Sequence, residues 1–343
     1  MINEASMFLH NVTVIDGAYV DSNGVCVGFS FSPRFHVSGK VSEDESVVVD
    51  FSTIKKDLKA FIDDKETGID HKLLVFTEGH GDNKVTLGCV SHVTLHPEKD
   101  KGKKKAKSSA NTKTKPFVRV VTATGTEIDT DVYAVKELDI RGHRRPELDA
   151  KPIVLIQYWL QQEINNHFPD LDIKVSLESK FNHVNPIDVH GWVLTQAQPI
   201  TYVHGLKDST SFGCQNIMHG HRSFIQLVGI REEYADNKYK ASLDKVCKTM
   251  ARFMDGKYLV AERNYAPSGG SIPEDRDWVG YESRDRGKFS VLLGQPHLVL
   301  PHETTIECIV HYMYQQFRSQ LRELGVSQIY ISEGLEKGAF YSV

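Results

Sequence analysis

The stretch "SLDKVCKTMARFMDGKYLV", residues 242–260, reads as an amphipathic helix that runs through a short turn into a strand. Leu243, Val246, Cys247, Met250, Phe253 and Met254 recur at three-and-four spacing, which puts them on one helical face. Past Asp255 and Gly256 the chain becomes an extended apolar run. The same order occurs earlier. "STIKKDLKAFI" (52–62) carries Ile54, Leu58, Phe61 and Ile62 at helical spacing behind Phe51, with Ser52 as the expected N-cap. "DHKLLVF" (70–76) then stands where "DGKYLVA" (255–261) stands in the second half.

Working outward, the correspondence extends to both ends of each half. "PIVLIQYWLQQEINNHF" (152–168) is a second amphipathic helix with Pro152 in its first turn, followed by the strand "DIKVSLES". Its counterpart is "TTIECIVHYMYQQFRSQL" (304–321), with Ile306, Ile309, Val310, Met313 and Phe317 on one face. "SQIYISEGLEKGAFY" (327–341) follows as a final strand, so the strand ending at Glu178 matches the one ending at Glu333. "VCVGFSFSPRFHVSGKV" (25–41), "PITYVHGL" (199–206) and "RSFIQLVGI" (222–230) are further strands. The period is far longer than that of a solenoid. The fold class is α+β: two tandem units, 1–184 and 185–343, each an antiparallel sheet with two helices on one face. A broad β-rich insertion spans 76–140. Within it lies the lysine-rich "PEKDKGKKKAKSSANTKTKPF" (97–117), a solvated tip by composition. The sharper alternative is a basic arm toward nucleic acid or a phosphorylated ligand. "APSGGSIPEDRDWVGYESRDRGKF" (266–289) reads as a long loop.

Composition narrows the function classes. The 343 residues carry a formal charge of −4, with 40% hydrophobic and 25% charged residues. That balance gives no general affinity for nucleic acid. No apolar run approaches the ~18 residues that cross a bilayer, and the N-terminus lacks the basic start of a signal peptide. Cys26, Cys89, Cys214, Cys247 and Cys308 are an odd, widely spaced set without CxxC pairs, which fits reduced thiols in a cytoplasm. Cys26, Cys89 and Cys247 sit in apolar patterns and read as small core residues.

The chemistry concentrates in "FGCQNIMHGHRSF" (212–224). His219 and His221, at i and i+2 on a strand, project to one face. Hairpin pairing with the preceding strand would bring His204 across from them. Three histidines without a fourth protein ligand describe an open zinc site, with room for water or substrate. Spacing alone is weak, since sixteen histidines produce such a pair by chance; the bland alternative is two polar edge histidines.

"PITYVHGLKDSTSFGCQNIMHGHRSFIQLVG" resembles the opening of the 6-pyruvoyltetrahydropterin and 6-carboxytetrahydropterin synthase family, where a strand ends in a phrase like "FSAAHRL", then come a cysteine and "HGHxY". "TTIECIVHYMYQQF" is similar to the family's "PTxEN" helix start, and "VSEDESVVVDF" followed by "DHKLLV" to its "GMVVDF" and Leu-Asp-His segments. The resemblance implies the tunnelling fold, whose units oligomerise into a β-barrel. It implies a homo-oligomer and a zinc-dependent lyase or synthase acting on a pterin-like small molecule such as dihydroneopterin triphosphate. Carried over by position, it makes His204, His219 and His221 the zinc ligands and Cys214 the base. Glu333 would anchor the pterin, with Glu178 at the matching place in the first half, and Glu307 would support it.

The departures are as informative. The family's cysteine works with an Asp-His pair, yet the second half has Asp255 followed by Gly256. The first half keeps the pair, Asp70 and His71, and lacks both the HGH motif and the cysteine. Either the two halves build one composite site, or each decayed separately and the chain keeps a structural or ligand-binding role. A cofactor-free oxidase of the urate-oxidase kind shares tandem units but gives no reason for the His-Cys cluster.

Overall fold

The structure, a computed structural model, describes residues 4–44, 46–78, 85–86, 90–96, 116–141, 151–180, 189–268, 276–283 and 286–343. Cys89 and most of the lysine-rich stretch lie outside the described residues.

The first half runs β1 (Glu4–Leu9), β2 (Ile15–Val20), β3 (Cys26–Lys40), α1 (Phe51–Asp63), β4 (Lys72–Glu78), β5 (Val85–Thr86), β6 (Val90–His96), β7 (Phe117–Thr122), β8 (Glu127–Asp131), β9 (Val135–Asp139), α2 (Pro152–His167) and β10 (Asp172–Glu178). The second runs β11 (Trp192–Leu194), β12 (Gln198–His204), β13 (His219–Arg231), α3 (Asn237–Met254), β14 (Lys257–Ala261), β15 (Tyr265–Ala266), β16 (Trp278–Ser283), β17 (Gly287–Leu292), β18 (His297–Leu300), α4 (Ile306–Glu323), β19 (Gln328–Glu333) and β20 (Lys337–Ser342).

In the first half β3 pairs antiparallel with β1, β2 and β10, β4 lies parallel to β2, and β9 parallel to β4. In the second half β13 pairs antiparallel with β11, β12 and β19, β14 lies parallel to β12, and β18 parallel to β14. The sheets are therefore mixed rather than purely antiparallel. A helix follows each long hairpin strand and returns the chain to the start of the hairpin's first strand, which makes the next strand parallel to it.

Each pair of helices buries its apolar stripe over its own sheet. Ile54, Leu58 and Ile62 of α1 join Ile156, Leu160 and Ile164 of α2 over Phe29, Phe35 and Val37. Cys247, Met250 and Met254 of α3 join Ile309, Met313 and Phe317 of α4 over Tyr202, Ile225 and Leu227. Asp50, not Ser52, caps α1: its carboxylate accepts from Thr53 N at 2.8 Å, which an aspartate does as readily as a serine. Asp236 caps α3 in the same way.

Two sequence expectations are corrected by turns. The final strand is a hairpin, β19 and β20, reversing at Gly334, whose φ of +70° suits glycine. The loop expected over 266–289 contains the antiparallel pair β16–β17. Val279, Tyr281 and Ser283 alternate inward there, a period-two signal hidden among Gly, Pro and charged neighbours. β17 pairs with β8, so strands inserted in the two halves share a third sheet, ordered β15-β16-β17-β8-β7-β6.

The halves meet where β3 crosses β13. A side chain on Gly28 would strike the backbone of Tyr202 and His221, and one on Gly220 would lie 2.7 Å from Gly28 Cα. Only paired glycines allow that approach.

Candidate functional site

β12 and β13 set the histidines. Their antiparallel register pairs His204 with His219 and Tyr202 with His221, so all three imidazoles fall together at the end of the hairpin. Their ligand atoms lie within 4.8 Å of one another, and all three residues are buried. His204 Nδ1 is 3.0 Å from Thr304 Oγ1, and His219 Nδ1 is 2.8 Å from the Asn216 carbonyl. The opposite nitrogens, His204 Nε2 and His219 Nε2, are buried and have no hydrogen-bond partner among the described residues. Burial, reinforced by neighbouring imidazoles, holds His204 and His219 well below the ordinary histidine pKa, so they are neutral donors.

These observations fit a divalent cation. Metal-ligating histidines hold one ring nitrogen on a carbonyl or hydroxyl and offer the other to the ion. A buried, orphaned Nε2 costs about 1–3 kcal/mol unless something takes it up. Three imidazoles are the donor set of an open zinc site.

Behind His221 sits a carboxylate that sequence reading missed. Asp16 Oδ1 is 2.5 Å from Ser30 Oγ and 3.3 Å from His221 Nδ1, and the residue is 2% exposed. Burial raises its pKa, but His221, His71 and Lys337 together outweigh that and lower it to about 2. The available signal was a lone acid inside the apolar strand "VIDGAYV" (14–20). Thr304, Asn216 and Lys337 were missed as well. Each lies in a stretch whose chemistry the sequence places on other residues, and each acts through a contact made in the fold.

Asp70 and His71 come from the turn before β4. Asp70 Oδ1 accepts from Asp16 N at 2.9 Å, and His71 N donates to Asp16 O at 2.6 Å. These bonds hold His71 at φ +57°, a left-handed conformation rare for a residue with a side chain. The second half repeats the arrangement, with Thr201 N donating to Asp255 Oδ1 and Gly256 N donating to Thr201 O. Gly256 has φ +69°, which glycine adopts freely.

His71 Nδ1 lies 2.6 Å from Asp70 Oδ2. Its ring centroid is 5.3 Å from that of His219, and the Asn216 amide Nδ2 donates to the His71 carbonyl. His71, Cys214 and His219 place ligand-type atoms within 4.8 Å of one another. Burial opposes the charged imidazole, yet Asp70, with Cys214 and Asp16 behind it, raises the His71 pKa well above its ordinary value. Burial likewise raises the Cys214 thiol, and His71 reverses this and lowers it. The favoured pair is an imidazolium beside a thiolate.

The three expected carboxylates fall in different places. Glu333 ends β19 largely buried, with Lys337 Nζ at 3.2 Å. Glu178 ends β10 and is ion-paired to Arg34 at 2.5 Å. Glu307 is exposed in the first turn of α4, and it is Thr304, three residues earlier, that touches His204. By register, the first-half positions equivalent to His204, His219 and His221 are Tyr19, Val27 and Phe29, none a usual metal ligand.

No family model matches the chain, and no curated protein matches it. Among solved structures it is similar to a catalytic-residue mutant of Plasmodium vivax 6-pyruvoyltetrahydropterin synthase, at 13% identity over 51% of this chain and 91% of that one, with a TM-score of 0.30. The Plasmodium falciparum enzyme matches at 15% identity, 44% and 98% coverage, and a TM-score of 0.31. An uncharacterized protein from Wolinella succinogenes matches at 15% identity, 44% and 97% coverage, and a TM-score of 0.30. No helix among the described residues is long and apolar enough to cross a membrane.

Proposed function

We propose that the chain is a fusion of two tunnelling-fold units, 1–184 and 185–343, whose halves together build one zinc-dependent site for a pterin-like substrate. The observation that carries this reading is the packing of His71, held by Asp70 in one half, against Cys214 and His219 from the other. The motif set that neither half contains alone is thereby complete in one polypeptide.

In this reading His204, His219 and His221 hold zinc, which supplies Lewis-acid polarisation of a substrate oxygen. Glu333 accepts two parallel N–H bonds from the aminopyrimidinone edge of the pterin, giving orientation as well as affinity. Cys214, as thiolate, removes a proton from the carbon next to the polarised group. His71, fixed by Asp70, stabilises the thiolate as an imidazolium. Once it has given its own proton to the departing substrate oxygen, it takes up the proton that Cys214 removed. Glu178 and Glu307 have no part in the working site. Decay, the rival expectation, applies in this reading to the first unit's own position, where Tyr19, Val27 and Phe29 stand.

The activity proposed is elimination of triphosphate from dihydroneopterin triphosphate or a close analogue, by a homo-oligomer closing a barrel. The test is metal analysis together with a triphosphate-release assay on the purified chain. One zinc per chain, lost in His219→Ala, with turnover abolished in Cys214→Ser, is the expected result. Metal content indifferent to His219→Ala would end the zinc assignment, and turnover unchanged by Cys214→Ser would end the role of the thiol.

A further inference from the structure

The segment that presents Cys214, residues 205–218, joins β12 to β13 and has no regular structure to hold it. Among the bonds within it, Leu206 N donates to Cys214 O at 2.8 Å, Asn216 N to Gly213 O at 2.9 Å, and Gln215 Nε2 to Ser209 O at 2.7 Å. Outside the segment, Asn216 bonds to His71 and His219, Tyr258 Oη donates to the Ile217 carbonyl at 2.8 Å, and Arg263 pairs with Asp208. The residues on either side of Cys214 are gripped from the third sheet and the turn next to it. Ser283 Oγ donates to Gln215 Oε1 at 2.5 Å, and Tyr281 Oη donates to the Gln215 carbonyl at 2.7 Å. Arg286 Nη1 donates to the Phe212 carbonyl at 2.6 Å, and its guanidinium lies 4.0 Å from the centroid of the Phe212 ring. Gln215 and Phe212 flank Cys214 on either side.

Arg286 is itself held from the other half of the chain. Its Nε and Nη2 each reach an oxygen of Asp131 at 2.6 Å, a two-pronged pairing with both residues buried. Tyr133, two residues on, packs edge-on against Phe212. A buried ion pair contributes little net stability, because desolvation offsets the attraction, but the fork fixes direction well. A single arginine therefore ties three things together: the strand insertion of the first half, that of the second, and the loop carrying the thiol.

We propose that the third sheet is a clamp that sets Cys214 against His71, with Arg286 and Ser283 as its positioning residues. The proposal rests on the reading of Cys214 as the working thiol. It gives the inserted strands of both halves one shared purpose. His219 and His221 sit on β13 and His204 on β12, so the metal ligands keep their places by strand register and do not depend on the clamp.

The experiment is residue-resolved amide exchange on the full chain in Ser283→Ala and Arg286→Lys, with metal content and steady-state kinetics on the same preparations. Ser283→Ala removes one hydroxyl and leaves the ion pair intact, so it folds even if the arginine variant does not. The expected result is amide exchange at Leu206 and Asn216 at least tenfold faster, with β12 and β13 amides and metal content as in wild type. Where turnover is measurable, kcat falls and KM holds. Unchanged exchange at Leu206 and Asn216 would overturn the clamp, as would acceleration spread evenly over the whole second sheet. Absence of metal from the wild-type chain would count against the zinc site alone, because the loop's exchange reports the clamp with or without it.

Discussion

The imidazoles of His71 and His219 stand with ring centroids 5.3 Å apart although opposite halves of the chain supply them. Neither ring hydrogen-bonds the other. They meet because the Asn216 amide, 145 residues away in sequence, donates to the His71 carbonyl, and because the Gly28–Gly220 crossing lets the halves approach.

The first prediction removes the imidazole and keeps the backbone. His71 has a left-handed φ, a conformation that asparagine tolerates better than most residues. His71→Asn is therefore expected to fold and to keep its metal. Release of triphosphate from dihydroneopterin triphosphate should fall by roughly 10²–10⁴-fold, the usual worth of a positioned proton-transfer group. Full activity in this variant would remove His71 from the mechanism.

Asp16 makes a separate prediction, because its carboxylate lies 3.3 Å from His221 Nδ1. Carboxylates that orient a ligating imidazole are typically worth roughly 10–100-fold in metal affinity. Asp16→Asn keeps the shape and loses the charge. Competition against a chelator of known affinity should show zinc held more weakly by about that factor. An unchanged affinity would mean that Asp16 only fills space beside Ser30.

The sequence carried the local parts of this picture and missed the contacts between distant ones. Helical spacing located α1 to α4, and the i, i+2 histidines with His204 across a hairpin are where strand register puts them. Asp70 and His71 were visible as a pair, but nothing in the order of residues says that their turn packs on Cys214. The β16–β17 pair reads as loop in the sequence because composition outweighs a six-residue alternation. Asp16 and Thr304 acquire their roles only when folding brings His221 and His204 to them.

A third prediction concerns the position where the second half lacks its histidine. A Cβ on Gly256 would meet nothing within 4 Å, so there is room for a side chain, but its φ of +69° disfavours one. Gly256→His is expected to lower stability by roughly 1–2 kcal/mol, the usual cost of forcing a side chain into that region. It should add no second metal, because Tyr19, Val27 and Phe29 occupy the ligand positions of the first half. Urea unfolding and metal counting on the same sample check both parts; two metals per chain would contradict the single-site reading.

The last prediction is a pH dependence, and it comes from Lys72, immediately after His71. Lys72 is 2% exposed, and its Nζ donates to the carbonyls of Lys65 at 3.1 Å and Glu66 at 3.3 Å. Burial lowers its pKa to about 8; Lys136 and Arg286 push the same way, while Asp64 and Asp131 oppose them. An unfolded chain leaves this lysine near its ordinary value of about 10.4. Between those two values the unfolded state binds more protons than the folded one, so stability rises with pH there. Below about pH 8 both states are charged and the cost of the buried ammonium is fully present. Lys72→Met has no such proton. The melting temperature of wild type minus that of Lys72→Met should be flat below about pH 8, then move in favour of wild type toward about pH 10. Taking the difference cancels the tyrosines and cysteines that titrate over the same range. A difference that moved the other way would mean that the folded chain holds the Lys72 proton more tightly than the unfolded chain does.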